Sequence, residues 1–173
     1  MTKKASELTP HEKAQLTAKW AKTMTKVEIT KAAKGGVQWR VIEFNGPKKR
    51  ESRGIVDIMA IRKDHTSESE EYKRGDIFEI ILIQAKGGFA KGPTEADRKR
   101  LNVVRKKYGA KHVVLASWKK GRKPTLRILE GDEWSAPRKY SFKDVFFKKS
   151  LSDPAKPGKK KKVVTKKSNN RAS

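Results

Sequence analysis

Residues 77–86, Ile-Phe-Glu-Ile-Ile-Leu-Ile-Gln-Ala-Lys, constrain the fold more than any other part of this chain. Successive side chains of an extended strand point to opposite faces, so the unbroken run Ile80 to Ile83 makes both faces apolar. A strand of that kind belongs inside a sheet that is covered on both sides. Polar groups gather only at its end, where Gln84 and Lys86 share one face and Ala85 points away with Ile81 and Ile83. A second strand-like run, Gly54 to Ile61, holds Asp57 among apolar residues, and a purely structural strand would not choose an aspartate there.

The elements around these two runs follow from spacing. Thr9-Pro10 opens a helix, with the hydroxyl at the cap and proline in the first turn, and Leu16, Trp20 and Met24 then fall four residues apart as one apolar stripe. Gly35-Gly36 ends that pattern. Val37, Trp39 and Val41 alternate with polar residues as a half-buried strand that continues through Phe44 and turns at Asn45-Gly46-Pro47. Residues 63–76 read as a polar loop. After the strand over 77–86, Gly87-Gly88 stops the chain, and a helix begins at Pro93 to Asp97 with Leu101, Val104 and Tyr108 facing the sheet, until Gly109 ends it. His112 to Trp118 and Thr125 to Leu129 read as two further strands, with a basic turn over 119–124 between them, and Tyr140 to Phe147 as a last short helix. The order predicts one mixed α/β domain over 10–150 whose central sheet is flanked by helices.

Charge narrows the partners. Lysine and arginine total 44 against 19 acids, for a net charge of +25. Residues 155–173 carry eight of those charges without a single acid, which leaves +17 for residues 1–154. That last segment, with 151–154, reads as a disordered lysine-rich tail over 151–173, and residues 1–9 as a disordered amino terminus. A basic body in addition to a basic tail predicts a surface that faces phosphate. DNA is the expected partner and RNA the lesser one. No apolar run approaches 18 residues, so a membrane is not expected, and the amino terminus has no secretory signal, so a cytoplasmic, nucleoid-associated home is expected for a prokaryotic protein. Without cysteine there is no disulfide and no sulfur-based zinc site.

A carboxylate at 57, an amide at 84 and an ammonium at 86, brought together on neighbouring strands, suit a divalent cation, a water beside it and a phosphodiester to be attacked. Asp57 offers a charged ligand, Gln84 an amide oxygen and Ala85 its carbonyl, while Lys86 is placed to handle water and to face negative charge on phosphate. Glu43 on the first strand is the candidate for a further acid, and Glu12 on the first helix an alternative. Glu79, on the face opposite Gln84, is expected to pair with a lysine or to lie at the sheet surface. Taken one at a time these residues have plainer roles: Asp57 can pair with Arg53 or Arg62, and Gln84 to Lys86 can be a strand running into solvent. His11, His65 and His112 lack metal-ligand spacing.

This arrangement resembles the PD-(D/E)XK nuclease superfamily, in which an aspartate on one strand and an acid-x-lysine on the next form a metal site. Asp57 matches the aspartate, and Gln84-Ala85-Lys86 the second motif, in the Q-x-K form of the Mrr-like branch of type IV restriction enzymes. Val56 stands where proline is common. The glycine-rich exit Gly87 to Thr94, a basic helix and then Gly109-Ala-Lys-His-Val-Val-Leu115 look like the small stand-alone members, the virus-type replication-repair nucleases among them. The resemblance spans roughly residues 37–129. It implies a restriction-endonuclease-like fold and a DNA endonuclease, with structure-selective action among its forms, that uses Mg²⁺ or Mn²⁺ held by Asp57, Gln84, the Ala85 carbonyl and Glu43. One carboxylate fewer than usual implies weak metal binding that improves with DNA present. The expected backbone grip is Lys48, Lys49, Arg50, Arg53, Lys91, Arg98, Lys119, Lys120, Arg122 and Lys123, with Trp118 beside the basic turn as the aromatic placed to stack on a base. Cutting both strands with one small site calls for two copies, so a symmetric homodimer is among the expected partners. The competing expectation is a noncatalytic DNA- or RNA-binding protein on the same fold.

Overall fold

The computed structural model describes residues 8–32, 38–45 and 54–147. Helix α1 (Pro10–Ala32) is followed by strands β1 (Arg40–Glu43), β2 (Ile58–Lys63) and β3 (Phe78–Gly87), helix α2 (Glu95–Lys107), strands β4 (His112–Trp118), β5 (Thr125–Glu130) and β6 (Glu133–Trp134), and helix α3 (Phe142–Phe146). The strands make one six-stranded sheet in the order β1-β2-β3-β4-β5-β6. Neighbours are antiparallel except β3 and β4, whose parallel pairing needs a crossover that α2 supplies.

Strand β3 is the buried centre the sequence predicts, with Ile81, Leu82, Ile83, Gln84 and Ala85 all buried. Its residues divide between two cores. Ile81 and Ile83 pack with Ile58, Ala60, Val114 and Ala116 beneath α1 and α3. Leu82 packs with Val113 and Leu129 beneath Leu101 of α2. The fold is therefore a mixed sheet with helices on both faces.

Helix α1 does not use the expected stripe. Leu16 is 52% exposed and Trp20 41%, and Met24 only flanks the core. The buried residues are Ala21, Lys22, Thr25, Ile29 and Ala32. The reason is how closely α1 lies on the sheet: a Cβ on Gly87 would stand 2.6 Å from the carbonyl oxygen of Thr17. Small side chains fill so tight an interface, and the bulky Trp20 is left at its margin, edge-on to Trp118 at 5.7 Å. Thr25 tolerates burial because its hydroxyl donates to the Ala21 carbonyl and accepts the Trp118 indole N–H, each at 2.8 Å.

Helix α2 opens with a reciprocal cap between Thr94 and Asp97 and faces the sheet through Leu101 and Val104. Tyr108, expected on that face, is its C-cap and 60% exposed. Gly109 then takes φ +59, which a residue with a Cβ adopts only with strain. Strand β2 begins four residues later than the run from Gly54 suggested, so Asp57 immediately precedes it. The two-residue β6 was not expected. It is secured from α2, where Arg98 donates to the Asp132 carbonyl at 2.7 Å and pairs with Glu133, and Asn102 donates to the Gly131 carbonyl at 2.6 Å. The turn at Gly46-Pro47 and both predicted tails lie outside the described residues, apart from Leu8-Thr9 at the amino end.

Candidate functional site

Asp57 is fixed through its backbone between β1 and β3. Its N–H donates to the Ile83 carbonyl at 3.0 Å, and its carbonyl accepts the Phe44 N–H at 2.9 Å. With Ile58 paired to Ile83, residue 57 lies beside residues 84 and 85. One carboxylate oxygen accepts the Ala85 N–H at 2.8 Å. The other stands 4.0 Å from Nζ of Lys22 on α1, and the two side chains are 13% and 8% exposed. Asp57 is thus joined to the middle of Gln84-Ala85-Lys86 by a charge-assisted hydrogen bond.

Gln84 and Lys86 follow Leu82 in strand alternation, which assigns them to the sheet face that α2 covers. Gln84 is 8% exposed, and its side-chain carbonyl oxygen is buried with no hydrogen-bond partner among the described residues. Lys86 is half-buried. The Asp97 carboxyl is held below its ordinary range by hydrogen bonds from Thr94 and then by the nearby charges of Arg100 and Lys86, which places Lys86 within electrostatic reach of the start of α2. The structure therefore brings Asp57 against the backbone of the Gln-Ala-Lys segment and the lysine of α1. The Gln84 and Lys86 side chains leave the same strand end toward α2, whereas the Asp57 carboxylate turns to Lys22 on the α1 side, so the expected meeting of the three side chains is not observed: Asp57 reaches this segment through the Ala85 backbone N–H.

Glu43 lies on the α1 side of β1 and is ion-paired to Lys26. Burial pushes its carboxyl up, but the Lys26 hydrogen bond and the charges of Lys26 and Lys22 more than offset this, and it lies below the usual carboxylate range. The two carboxylates on this side, Asp57 and Glu43, thus share a pair of lysines four residues apart on one helix. Sequence reasoning missed Lys22. The available signal was its spacing with Thr25, Ile29 and Ala32, which sets a cation on the helix face that is otherwise buried.

The other candidates sort by place. Glu12 caps α1, its carboxylate accepting the Thr9 N–H at 2.8 Å. Glu79 does pair with a lysine, Lys111 at 2.6 Å, and with Arg62. Burial, aided by the charges of Lys111 and Arg105, pushes the His112 imidazole down to about 4. Trp118 is 4% exposed with its N–H bonded inside the core, so it offers no ring face for a base, contrary to the expectation from its basic neighbours. Lys91, Lys119, Lys120, Arg122 and Lys123 are exposed. Arg98 holds the turn before β6, and its side chain is 18% exposed. Lys48, Lys49, Arg50 and Arg53 lie outside the described residues. A cleft of about 780 Å³ that includes Arg40, Lys63 and His65 opens at the far end of β2 from Asp57.

Among the described residues no three acidic or histidine side chains gather as a metal-binding group. A cation beside Asp57 would draw on amide and carbonyl oxygens as well, and the unpartnered Gln84 oxygen is a ligand of that kind. No helix among the described residues is long and apolar enough to cross a membrane. No family model, no curated protein and no solved structure matches the chain.

Proposed function

We propose that this protein is a metal-dependent DNA endonuclease with a restriction-endonuclease-like fold. The observation that carries the reading is the 2.8 Å hydrogen bond from the Ala85 N–H to the Asp57 carboxylate, with the residue before it, Gln84, holding a buried side-chain oxygen that has no partner among the described residues. A buried amide oxygen without a donor costs free energy unless something else satisfies it, and a hard cation does. Further support comes from the order of elements, one helix, three antiparallel strands, a crossover helix and a strand parallel to the third. The net charge of +25 supports a polyanionic substrate.

Asp57 and the Ala85 carbonyl would hold Mg²⁺ or Mn²⁺ at the end of β3, with Glu43 the further acid once released from Lys26, and the Gln84 amide oxygen would join them only by turning from the α2 side of the strand. When bound, such an ion supplies a water of lowered pKa and positive charge against the phosphate. The chain's own part is to hold and orient. Asp57 is set by the backbone of β3, Lys86 presents an ammonium at the same strand end for the charge that develops on phosphate, and Lys22 sets a positive charge 4.0 Å from the Asp57 carboxylate. Exposed Lys91, Lys119, Lys120, Arg122 and Lys123 grip the backbone on either side, and a symmetric dimer serves both strands.

The test is incubation with supercoiled plasmid and with branched DNA in magnesium or manganese, with a chelator as control. The expected result is chelator-sensitive cleavage that falls by about 10²–10⁴ in Lys86→Ala and is lost in Asp57→Asn, while DNA binding persists in both. A second reading, a noncatalytic DNA- or RNA-binding platform, is favoured by the lysines already set against Asp57 and Glu43. Absence of cleavage with every divalent metal tried selects it.

A further inference from the structure

Phe89 is 95% exposed, more than any other large apolar residue described. It stands on a short turn at the exit of β3, three residues beyond Lys86. Gly88 takes φ +64, its N–H donates to the Trp118 carbonyl at 2.8 Å, and the Ala90 N–H returns to the Gly87 carbonyl at 3.3 Å. The ring is therefore carried on a turn bonded to the end of β4, where the basic turn begins. Nζ of Lys119 lies 5.5 Å from the ring centroid, and Lys120, Arg122 and Lys123 follow in the same exposed turn. An aromatic ring held in water beside a cluster of cations, with no acid between residues 87 and 94 or 119 and 129, is built for a partner that joins flat apolar surfaces to regularly spaced anions.

We propose that Phe89 stacks on one unpaired nucleobase while Lys119 and its turn hold the neighbouring phosphates, so that the preferred substrate contains a single-stranded segment, such as a flap or a fork. In an intact duplex the faces of each base are covered by its neighbours and only edges face the grooves, so a side chain such as Phe89 has nothing to stack on. Splayed or single-stranded nucleotides expose those faces, and stacking on them does not depend on sequence. This deepens the proposed function and rests on it for the direction of the strand toward Asp57. It concerns binding, which is measured separately from cleavage.

The experiment is equilibrium binding of the full chain to three labelled probes: a thymidine 20-mer, a blunt duplex of equal length, and that duplex with a single-stranded flap. Chelator is present throughout, and the readout is fluorescence anisotropy over a salt series. Phe89→Ala is expected to weaken the single strand and the flap by about fivefold or more and the duplex by less than twofold, with the salt slope unchanged. Phe89→Trp restores the preference, whereas Phe89→Leu, equally apolar but without a π face, does not. Lys119→Gln lowers the salt slope on every probe. Because the side chain is in solvent, none of these variants tests folding. Equal weakening of all probes in Phe89→Ala, or no change in any, overturns the inference. So does loss of binding to phosphatidylserine vesicles with DNA binding intact, which makes the ring a membrane contact. Phe89-dependent binding without cleavage leaves the inference standing and the nuclease reading fallen, and the reverse result leaves only the nuclease reading.

Discussion

A lysine whose side chain is 8% exposed needs an anion nearby, and Lys22 has Asp57 at 4.0 Å. The same contact opposes any cation that approaches Asp57, so Lys22 and a divalent metal compete for one carboxylate while both attract phosphate. Replacing Lys22 with methionine, which keeps the length and apolar packing of the stem, is expected to tighten Mn²⁺ binding several-fold and to weaken DNA binding. Electron paramagnetic resonance of free Mn²⁺ and anisotropy of a labelled duplex read the two effects, and movement of both in the same direction contradicts this role. Gln84 and Lys86 were legible as polar interruptions of a strand whose alternation assigns them one face, but Asp57 precedes its strand, so alternation did not show that its carboxylate turns to the α1 side instead of meeting them. Lys22 was not legible. Its importance arises only when α1 lies across the end of β3, a helix-to-strand contact that periodicity does not encode. Trp118 shows the converse error, since a basic turn after a tryptophan says nothing about whether its ring faces solvent or core.

At the scale of elements, the approach of α1 to β3 decides the geometry of the site, and Gly87 is what allows it. An added methyl would meet the Thr17 backbone carbonyl at 2.6 Å and the Thr17 methyl at 2.9 Å, and a carbonyl within a helix cannot move aside alone. Gly87→Ala is expected to cost about 1–3 kcal/mol of unfolding free energy by pushing α1 away. It should also lower cleavage out of proportion, because the Lys22 ammonium that attracts phosphate toward Asp57 is carried on the displaced helix, and weaker DNA binding outweighs easier entry of the metal. Urea unfolding and plasmid cleavage on the same sample check this, and unchanged stability sinks it. Strand β4 and the body of β3 could be placed from sequence to within a residue because a continuous apolar run between turn signals has one reading. Helix α1 could not be oriented, since the four-residue spacing of Leu16, Trp20 and Met24 is as regular as that of Ala21, Thr25 and Ile29, which turned out to be buried. Strand β6 escaped notice because two residues carry no period. It exists through Arg98 and Asn102, which reach it from α2.

Across the whole molecule, charge and topology point to the same end of the sheet. Asp57 at the start of β2 and Gln84 to Lys86 at the close of β3 meet there, and the turn after β4 carries four exposed cations to it. The opposite end, with the cleft near Arg40 and His65, has an Arg62–Glu79 pair and a tightly hydrogen-bonded Asp64 whose carboxyl is lowered by Ser67 and Thr66 after the cost of burial. That end reads as structure. The direct test of the central claim, that residues 57 and 84–86 form one cation site, is to substitute ferrous iron for magnesium. Ascorbate and peroxide then generate hydroxyl radicals at the bound ion, and mass spectrometry maps the backbone cuts. The account predicts cuts beside Asp57 and within Gln84 to Lys86, suppressed by excess magnesium and lost in Asp57→Asn. Cuts confined to the Asp64 to Thr66 region, or scattered evenly along the chain, would contradict it.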